Sequence, residues 1–153
     1  QGVQPDAGPE REGRTMIDPL AASSRIAGSG MEAQSERMRV IAENIANAQS
    51  TGQTAGSDPY TRKTITFRTA LDRASGTTAV AVRQIGEDKA PFRVEYDPGN
   101  PAANADGNVK LPNVNMLIEM ADMREANRSY EANLQMIKQT RSMIASIIEL
   151  LRP

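Results

Sequence analysis

The sequence contains no cysteine and no histidine among its 153 residues. These absences exclude disulfide bonds, thiolate metal sites, thiol and imidazole nucleophiles, and the side chain that most often acts as a general base near neutral pH. Acid or base chemistry would fall to the carboxylates nearest to turns or helix starts, which are Glu95, Asp97, Asp106 and Glu119. Because no two of them have a spacing that identifies a glycosidase or a metal site, we interpret them as solvated surface charges. The sequence therefore predicts no enzyme, no cofactor and no small-molecule substrate.

Aromatic side chains are also scarce, with no Trp, two Phe and three Tyr. Aromatic rings usually supply the largest single burials of a core, so this chain is poor at building a large core alone. The charge is nearly balanced, with 18 basic and 19 acidic residues, which gives no indication of a nucleic-acid partner. No cleavable signal peptide is visible, and no apolar run approaches the ~20 residues of a membrane span.

Residues 113–152 hold no Gly or Pro, and their apolar side chains recur in steps of four and three. This spacing predicts one long helix with an apolar stripe along one side. The stripe consists of Met116, Met120, Met123, Tyr130, Leu134, Ile137, Ile144, Ile148 and Leu151. Such a helix is roughly 60 Å long at a rise of ~1.5 Å per residue, and it exceeds the helix predicted near the amino terminus. We therefore expect Ile137, Ile144 and Ile148 to be buried at least partly by neighbouring subunits.

Two polar residues, Asn127 and Arg141, interrupt the stripe at the same register. A polar side chain in a helical seam lowers stability but penalises wrong registers, which suits a subunit that must pack in one way. The alternative is that the helix turns slightly and exposes both residues. The sequence leaves these two interpretations open.

A second stripe in the same rhythm predicts a helix over residues 16–48. Its apolar members are Leu20, Ala27, Met31, Met38, Ile41, Ile45 and Ala48. The Asp18-Pro19 pair predicts the helix start, because Asp can accept from free N–H groups of the first turn and Pro loses no hydrogen bond there. Residues 1–15 have almost no apolar content and predict a disordered extension, with Met16 as the natural beginning.

Other residues of this helix qualify the prediction. Gly28 and Gly30 weaken its first half by roughly 1 kcal/mol each relative to Ala, unless a neighbouring backbone packs closely there. Asn44 and Asn47 lie near its end, where helix termination and hydrogen bonding across helices are commoner roles than ligand binding or catalysis.

The middle of the chain, residues 49–112, differs from both ends, since five of the nine Pro and six of the eleven Gly lie there. This composition predicts short strands joined by turns. The alternating segments are residues 61–68, 79–85, 92–96 and 109–111. The predicted fold class is α+β, with long terminal helices in a coiled-coil-like pair and a small β-rich module. The predicted segments are residues 1–15, 16–48, 49–112 and 113–153.

Several motifs resemble those of bacterial flagellar rod and hook proteins. Residues 28–50 read GSGMEAQSERMRVIAENIANAQS and end in the Asn-apolar-Ala-Asn-Ala pattern of that family's amino-terminal helix. The runs YDPGNP at residues 96–101, LPNVN at 111–115 and RSYEAN at 128–133 continue the resemblance. In family order the resemblance covers residues 17–151, and it is therefore specific.

The resemblance implies a structural subunit of the proximal flagellar rod that transmits torque across the periplasm. It implies self-association in a helical assembly, contacts with other rod proteins and the base (MS) ring, and passage through the flagellar type III export apparatus without a cleaved signal. The residues expected at assembly contacts are Met31, Met38, Ile41, Asn44, Ile45, Asn47, Met120, Met123, Asn127, Tyr130, Asn133, Leu134, Ile137, Arg141, Ile144, Ile148 and Leu151. The alternative is a soluble coiled-coil adaptor or chaperone that binds one partner helix through the same stripe.

Overall fold

The structure of the protein, a computed structural model, describes residues 9–73 and 76–153, with side chains from residue 18 onward except at Asp72. It contains two long helices, α1 (Pro9–Ala46) and α2 (Met116–Leu150). Between them lie four strands, β1 (Lys63–Asp72), β2 (Thr77–Glu87), β3 (Arg93–Tyr96) and β4 (Asn108–Leu111). The predicted α+β class with terminal helices and a β-rich middle is confirmed. Within the described residues, no helix combines the length and apolar character that a membrane span requires.

The predicted start of the first helix is wrong, because α1 begins at Pro9 and carries Pro19 inside it. A proline within a helix removes one backbone hydrogen bond, and pairing with a second helix along this stretch can outweigh that loss. Of the predicted disordered extension, residues 1–8 lie outside the described part of the chain and residues 9–15 belong to α1.

The lengths of the helices also correct an expectation. With 38 residues α1 is slightly longer than α2, which has 35. Since α2 is not longer than α1, its length gives no reason to expect that neighbouring subunits bury Ile137, Ile144 and Ile148. Ile137 and Ile144 are half-buried in the subunit, whereas Ile148 is exposed.

Helix α1 packs against both α2 and the first pair of strands. Asn44, Arg37 and Gly30 of α1 contact Glu119, Asp122 and Asn133 of α2, respectively. Residue numbers therefore increase along α2 as they decrease along the facing side of α1. The two helices therefore pack antiparallel. Both β1 and β2 pack against α1, and the Val80 backbone N–H donates to Ser29 Oγ at 3.0 Å.

The strands form two separate antiparallel pairs, β1 with β2 and β3 with β4. The β1–β2 hairpin has a register shift between Thr66 and Phe67, where a bulge gives β2 one extra residue. In the β3–β4 pair the alternate residues Val109 and Leu111 are buried, while all of β3 is exposed. Gly107 precedes β4 at φ +81°, a backbone conformation that a residue with a Cβ rarely adopts.

Candidate functional site

The side of α2 that packs on α1 forms what we call the inner seam. Its fully buried members are Glu119, Ala126 and Thr140, and its half-buried members include Met123, Tyr130, Asn133, Ile137 and Ile144. Ala126 is 0% exposed and Thr140 is 5% exposed. Small side chains at these positions allow the two helix backbones to approach closely.

The predicted stripe of α2 coincides with the inner seam only in part. Met123, Tyr130, Ile137 and Ile144 lie in the seam, and Met116 and Leu134 are also half-buried. The remaining members are exposed in the subunit, namely Met120, Asn127, Arg141, Ile148 and Leu151. The helix thus exposes both polar interruptions, as the second interpretation expected, and their role in assembly stays a prediction.

A second stripe on α2, which the sequence analysis did not identify, is exposed along its whole length. This outer stripe follows the four-three rhythm with no charged member, and consists of Ala132, Met136, Gln139, Met143, Ser146 and Leu150. Met136 is 53% exposed and Leu150 is 85% exposed. In the seven-residue repeat that relates Glu119, Ala126 and Thr140, the outer stripe lies on one flank of the inner seam. Met120, Asn127, Arg141 and Ile148 lie on the other flank, whereas Leu151 continues the line of the seam.

The predicted assembly residues on α1 lie mostly inside the subunit. Ile41 and Asn44 are buried, and Met31, Met38, Ile45 and Asn47 are half-buried. Asn47 Nδ2 donates to the Glu43 carbonyl at 2.9 Å, and Asn47 Oδ1 accepts from Ser50 Oγ at 3.2 Å. These contacts at the last turn fit the helix-terminating role expected of Asn47.

Asn44 is 1% exposed and joins α1 to the start of the hairpin. Its Oδ1 accepts from the Lys63 backbone N–H at 2.8 Å and from Tyr60 Oη at 2.7 Å. Its Nδ2 donates to the Lys63 carbonyl at 2.9 Å and to Glu119 Oε2 at 3.5 Å. The Asn44 amide therefore pairs with both backbone groups of Lys63, as a neighbouring strand would.

Glu119 belongs to a group of linked residues that we call the polar hub: Asn44, Arg62, Asp88, Asn113 and Glu119. Its side chain is 0% exposed, so interpreting it as a solvated surface charge was wrong. Arg62 Nε donates to Glu119 Oε1, and Arg62 Nη1 donates to Asp88 Oδ2 at 3.1 Å. The fixed fork of the guanidinium suits such simultaneous bonding to two carboxylates.

Electrostatics in the polar hub affect two titrating groups. Burial opposes the charge of Arg62, but its hydrogen bonds to Glu119 and Asp88 raise its pKa overall, so the guanidinium stays charged. Burial raises the pKa of Tyr60, and the negative charges of Glu43 and Glu119 raise it further. Both effects favour one state, in which Arg62 is a cation and Tyr60 a neutral hydrogen-bond donor.

The polar hub fits a structural joint, because Arg62 and the polar side chains around it satisfy one another's hydrogen-bonding groups. The four carboxylates considered for catalysis do not converge on one site, since Glu95, Asp97 and Asp106 lie exposed near β3 and β4. Arg62 and Asp88 were missed because they come from two separate connecting segments and follow no helical or strand period.

Comparisons with known proteins agree with this architecture. A family model described as "Flagella basal body rod protein" matches residues 25–52, and one described as "Flagellar basal body rod FlgEFG protein C-terminal" matches residues 105–150. The first covers the second half of α1, and the second covers β4 and all of α2.

Relatives extend the similarity over most of the chain. The flagellar basal-body rod protein FlgC of Agrobacterium fabrum is 63% identical over 136 residues, which cover 89% of this chain and 98% of the relative. FlgC of Salmonella typhimurium is 40% identical over 125 residues, covering 82% of this chain and 92% of the relative. FlgC of Borreliella burgdorferi is 37% identical, covering 87% and 98% respectively. The resemblance predicted from the motifs is confirmed, and the chain belongs to the FlgC family of flagellar basal-body rod proteins.

Proposed function

We propose that this chain polymerises through the exposed flanks of its terminal helices, as a subunit of the proximal part of the flagellar rod. Membership of the FlgC family makes it a structural rod protein and not an enzyme. In the proposed assembly, helices of neighbouring subunits cover the stripes that the isolated subunit leaves in water. The rod built in this way transmits torque across the periplasm.

The observation that carries the proposal is the exposure of apolar side chains on both flanks of α2. Met120 and Ile148 lie on one flank, and Met136, Met143 and Leu150 lie on the other. Full withdrawal of such a side chain from water contributes roughly 1.5–3 kcal/mol. A helix with an apolar flank on each side of the seam can contact two neighbouring subunits at once. Repetition of such a head-to-tail contact builds a ring or a helical assembly.

The expected partners follow from the family. We propose contacts with other flagellar rod proteins and with the base (MS) ring, and delivery by the flagellar type III export apparatus without a cleaved signal. The Met-rich flanks suit this role, because Met side chains adapt to partner surfaces of different shape. A subunit between unlike neighbours needs such adaptability.

The alternative is a soluble adaptor or chaperone that binds a single partner helix. Size-exclusion chromatography with light scattering distinguishes the two, since an adaptor forms one small, defined oligomer. A rod subunit is instead monomeric or heterogeneous alone and forms long assemblies when mixed with other rod proteins. A defined small oligomer that fails to assemble with those proteins would contradict the proposal.

A further inference from the structure

The β1–β2 hairpin and α2 pack on different faces of α1. Within the described residues, the backbone of α2 does not come close to either hairpin strand, whereas α1 packs against all three elements. The position of the hairpin relative to α2 therefore depends on α1 and on side chains that join the base of the hairpin to α2. Those side chains belong to the polar hub.

The base of the hairpin is held from three directions. Asn44 of α1 binds the backbone of Lys63, at the start of β1. Asn113, just before α2, accepts from the Arg62 N–H at 2.8 Å and donates to the Asp88 and Ala90 carbonyls, each at 3.0 Å. Glu119 of α2 itself accepts from Arg62 Nε.

The link to α2 is charged and buried. A carboxylate with no exposure is stable only beside a compensating cation, and Arg62 is the guanidinium bonded to Glu119. If α2 left α1, Glu119 would return to water and the Arg62 guanidinium would keep only its bond to Asp88, which follows β2. The Arg62–Glu119 pair thus forms only when α2 lies in its seam.

We propose that Arg62 and Glu119 form a latch that fixes the position of the β1–β2 hairpin only while α2 is packed on α1. The latch couples the arrangement of the helices to the placement of the hairpin. Its consequence for assembly rests on the proposed function: neighbours that hold the helices together in the rod also set where each hairpin stands. A subunit with an unseated α2 loses this link, and its hairpin is then held by Asn113 and by the contacts with α1.

The sequence contains no cysteine, so spin labels can be attached at chosen sites without removing native thiols. Thr69 of β1 and Arg128 of α2 are both exposed, and the double variant Thr69→Cys/Arg128→Cys reports the distance between the hairpin and α2. Pulsed electron paramagnetic resonance on the full chain gives the distribution of that distance. The latch is then broken with Glu119→Gln, and the matched control is Glu125→Gln, an exposed glutamate of α2 that pairs with Arg37 at 3.6 Å.

We expect one narrow distance distribution in the labelled chain and in the Glu125→Gln control, and loss of the narrow peak in Glu119→Gln. Circular dichroism must show that the helices remain. If Glu119→Gln loses its helices, Asp122→Asn replaces it, because Asp122 Oδ2 lies 3.8 Å from Arg62 Nη2 and its loss should broaden the peak in the same direction. A narrow, unshifted distribution in the helical variant overturns the latch. Because the measurement uses the isolated chain, that result would leave the proposed rod function untouched.

Discussion

Gly30 of α1 faces the side-chain amide of Asn133 of α2 so closely that a Cβ at position 30 would lie 2.8 Å from Asn133 Nδ2. Gly28, two residues earlier, has no neighbour within 4 Å of such a Cβ. From the sequence alone, both glycines are expected to weaken α1 unless a neighbouring backbone packs closely. The neighbour at Gly30 is a side chain of the partner helix, and Gly28 has none.

This difference predicts that two similar substitutions change the free energy of unfolding by different amounts. Gly28→Ala should raise the free energy of unfolding by about 1 kcal/mol, since Ala favours the helix over Gly and meets no obstacle. Gly30→Ala gains the same helix preference but must displace Asn133, so its net gain should be smaller or negative. Urea unfolding followed by circular dichroism compares the two. Equal stabilisation by both substitutions would show that the contact with Asn133 imposes no constraint.

Asn44 should be among the least replaceable side chains of the subunit. Asn44→Ala removes the partners of both Lys63 backbone groups and of Tyr60 Oη, and we expect it to lower the free energy of unfolding by roughly 3 kcal/mol. Asn47→Ala is the matched control, because Asn47 is half-buried and its contacts are local to the last turn of α1. Thermal unfolding measures both variants. A loss for Asn44→Ala no larger than that of Asn47→Ala would contradict the joint described here.

Tyr60 should make stability depend on alkaline pH. Since burial and the nearby carboxylates raise its pKa in the folded state, folding favours the neutral phenol. The resulting stability is fully present below the unfolded pKa of about 10 and is lost as the pH rises through the higher folded value. Tyr60→Phe should be less stable than the parent near neutral pH, because it lacks the hydrogen bond to Asn44. It should also lose less stability than the parent between pH 9 and pH 11 (about one unit either side of that pKa), because it has no phenol to ionise.

Urea midpoints across this pH range test the prediction, with Tyr96→Phe as the control. Tyr96 is 71% exposed and lies in β3, away from the polar hub. If Tyr60→Phe and the parent lose stability in parallel as the pH rises, the phenol of Tyr60 does not carry the effect.

The sequence predicted the elements better than the faces they bury. Both helices and the four strands follow from apolar periodicity and from the distribution of Gly and Pro. The stripe on α2 was misplaced because periodicity follows large apolar side chains, whereas the inner seam is centred on Glu119, Ala126 and Thr140. The burial of a small or polar residue depends on the partner helix that covers it, and apolar periodicity in one helix does not reveal it. The polar hub was invisible for a related reason, since its members come from distant segments that only the fold brings together.

The observed position of the inner seam decides which substitutions can disturb assembly without disturbing the fold of the subunit. Ile144 is half-buried in the subunit, so a charge there would disturb the pairing of α2 with α1 as well as any contact with a neighbour. Met136 and Met143 lie on the outer stripe and are far more exposed, at 53% and 49%. A charge at those positions should therefore act mainly on assembly.

The most direct test of assembly through the flanks of α2 is the double variant Met136→Asp/Met143→Asp, expressed in a normally motile strain from which the native gene has been deleted. The control is Gln135→Asp/Ser142→Asp, which places the same charges on exposed positions one residue away. Circular dichroism of the purified chains should show unchanged helix content for both pairs. The measurement is the amount of each variant in purified basal bodies: we predict that the control is incorporated and the Met136→Asp/Met143→Asp variant is absent, with motility lost. Normal incorporation of the methionine variant would contradict assembly through this flank.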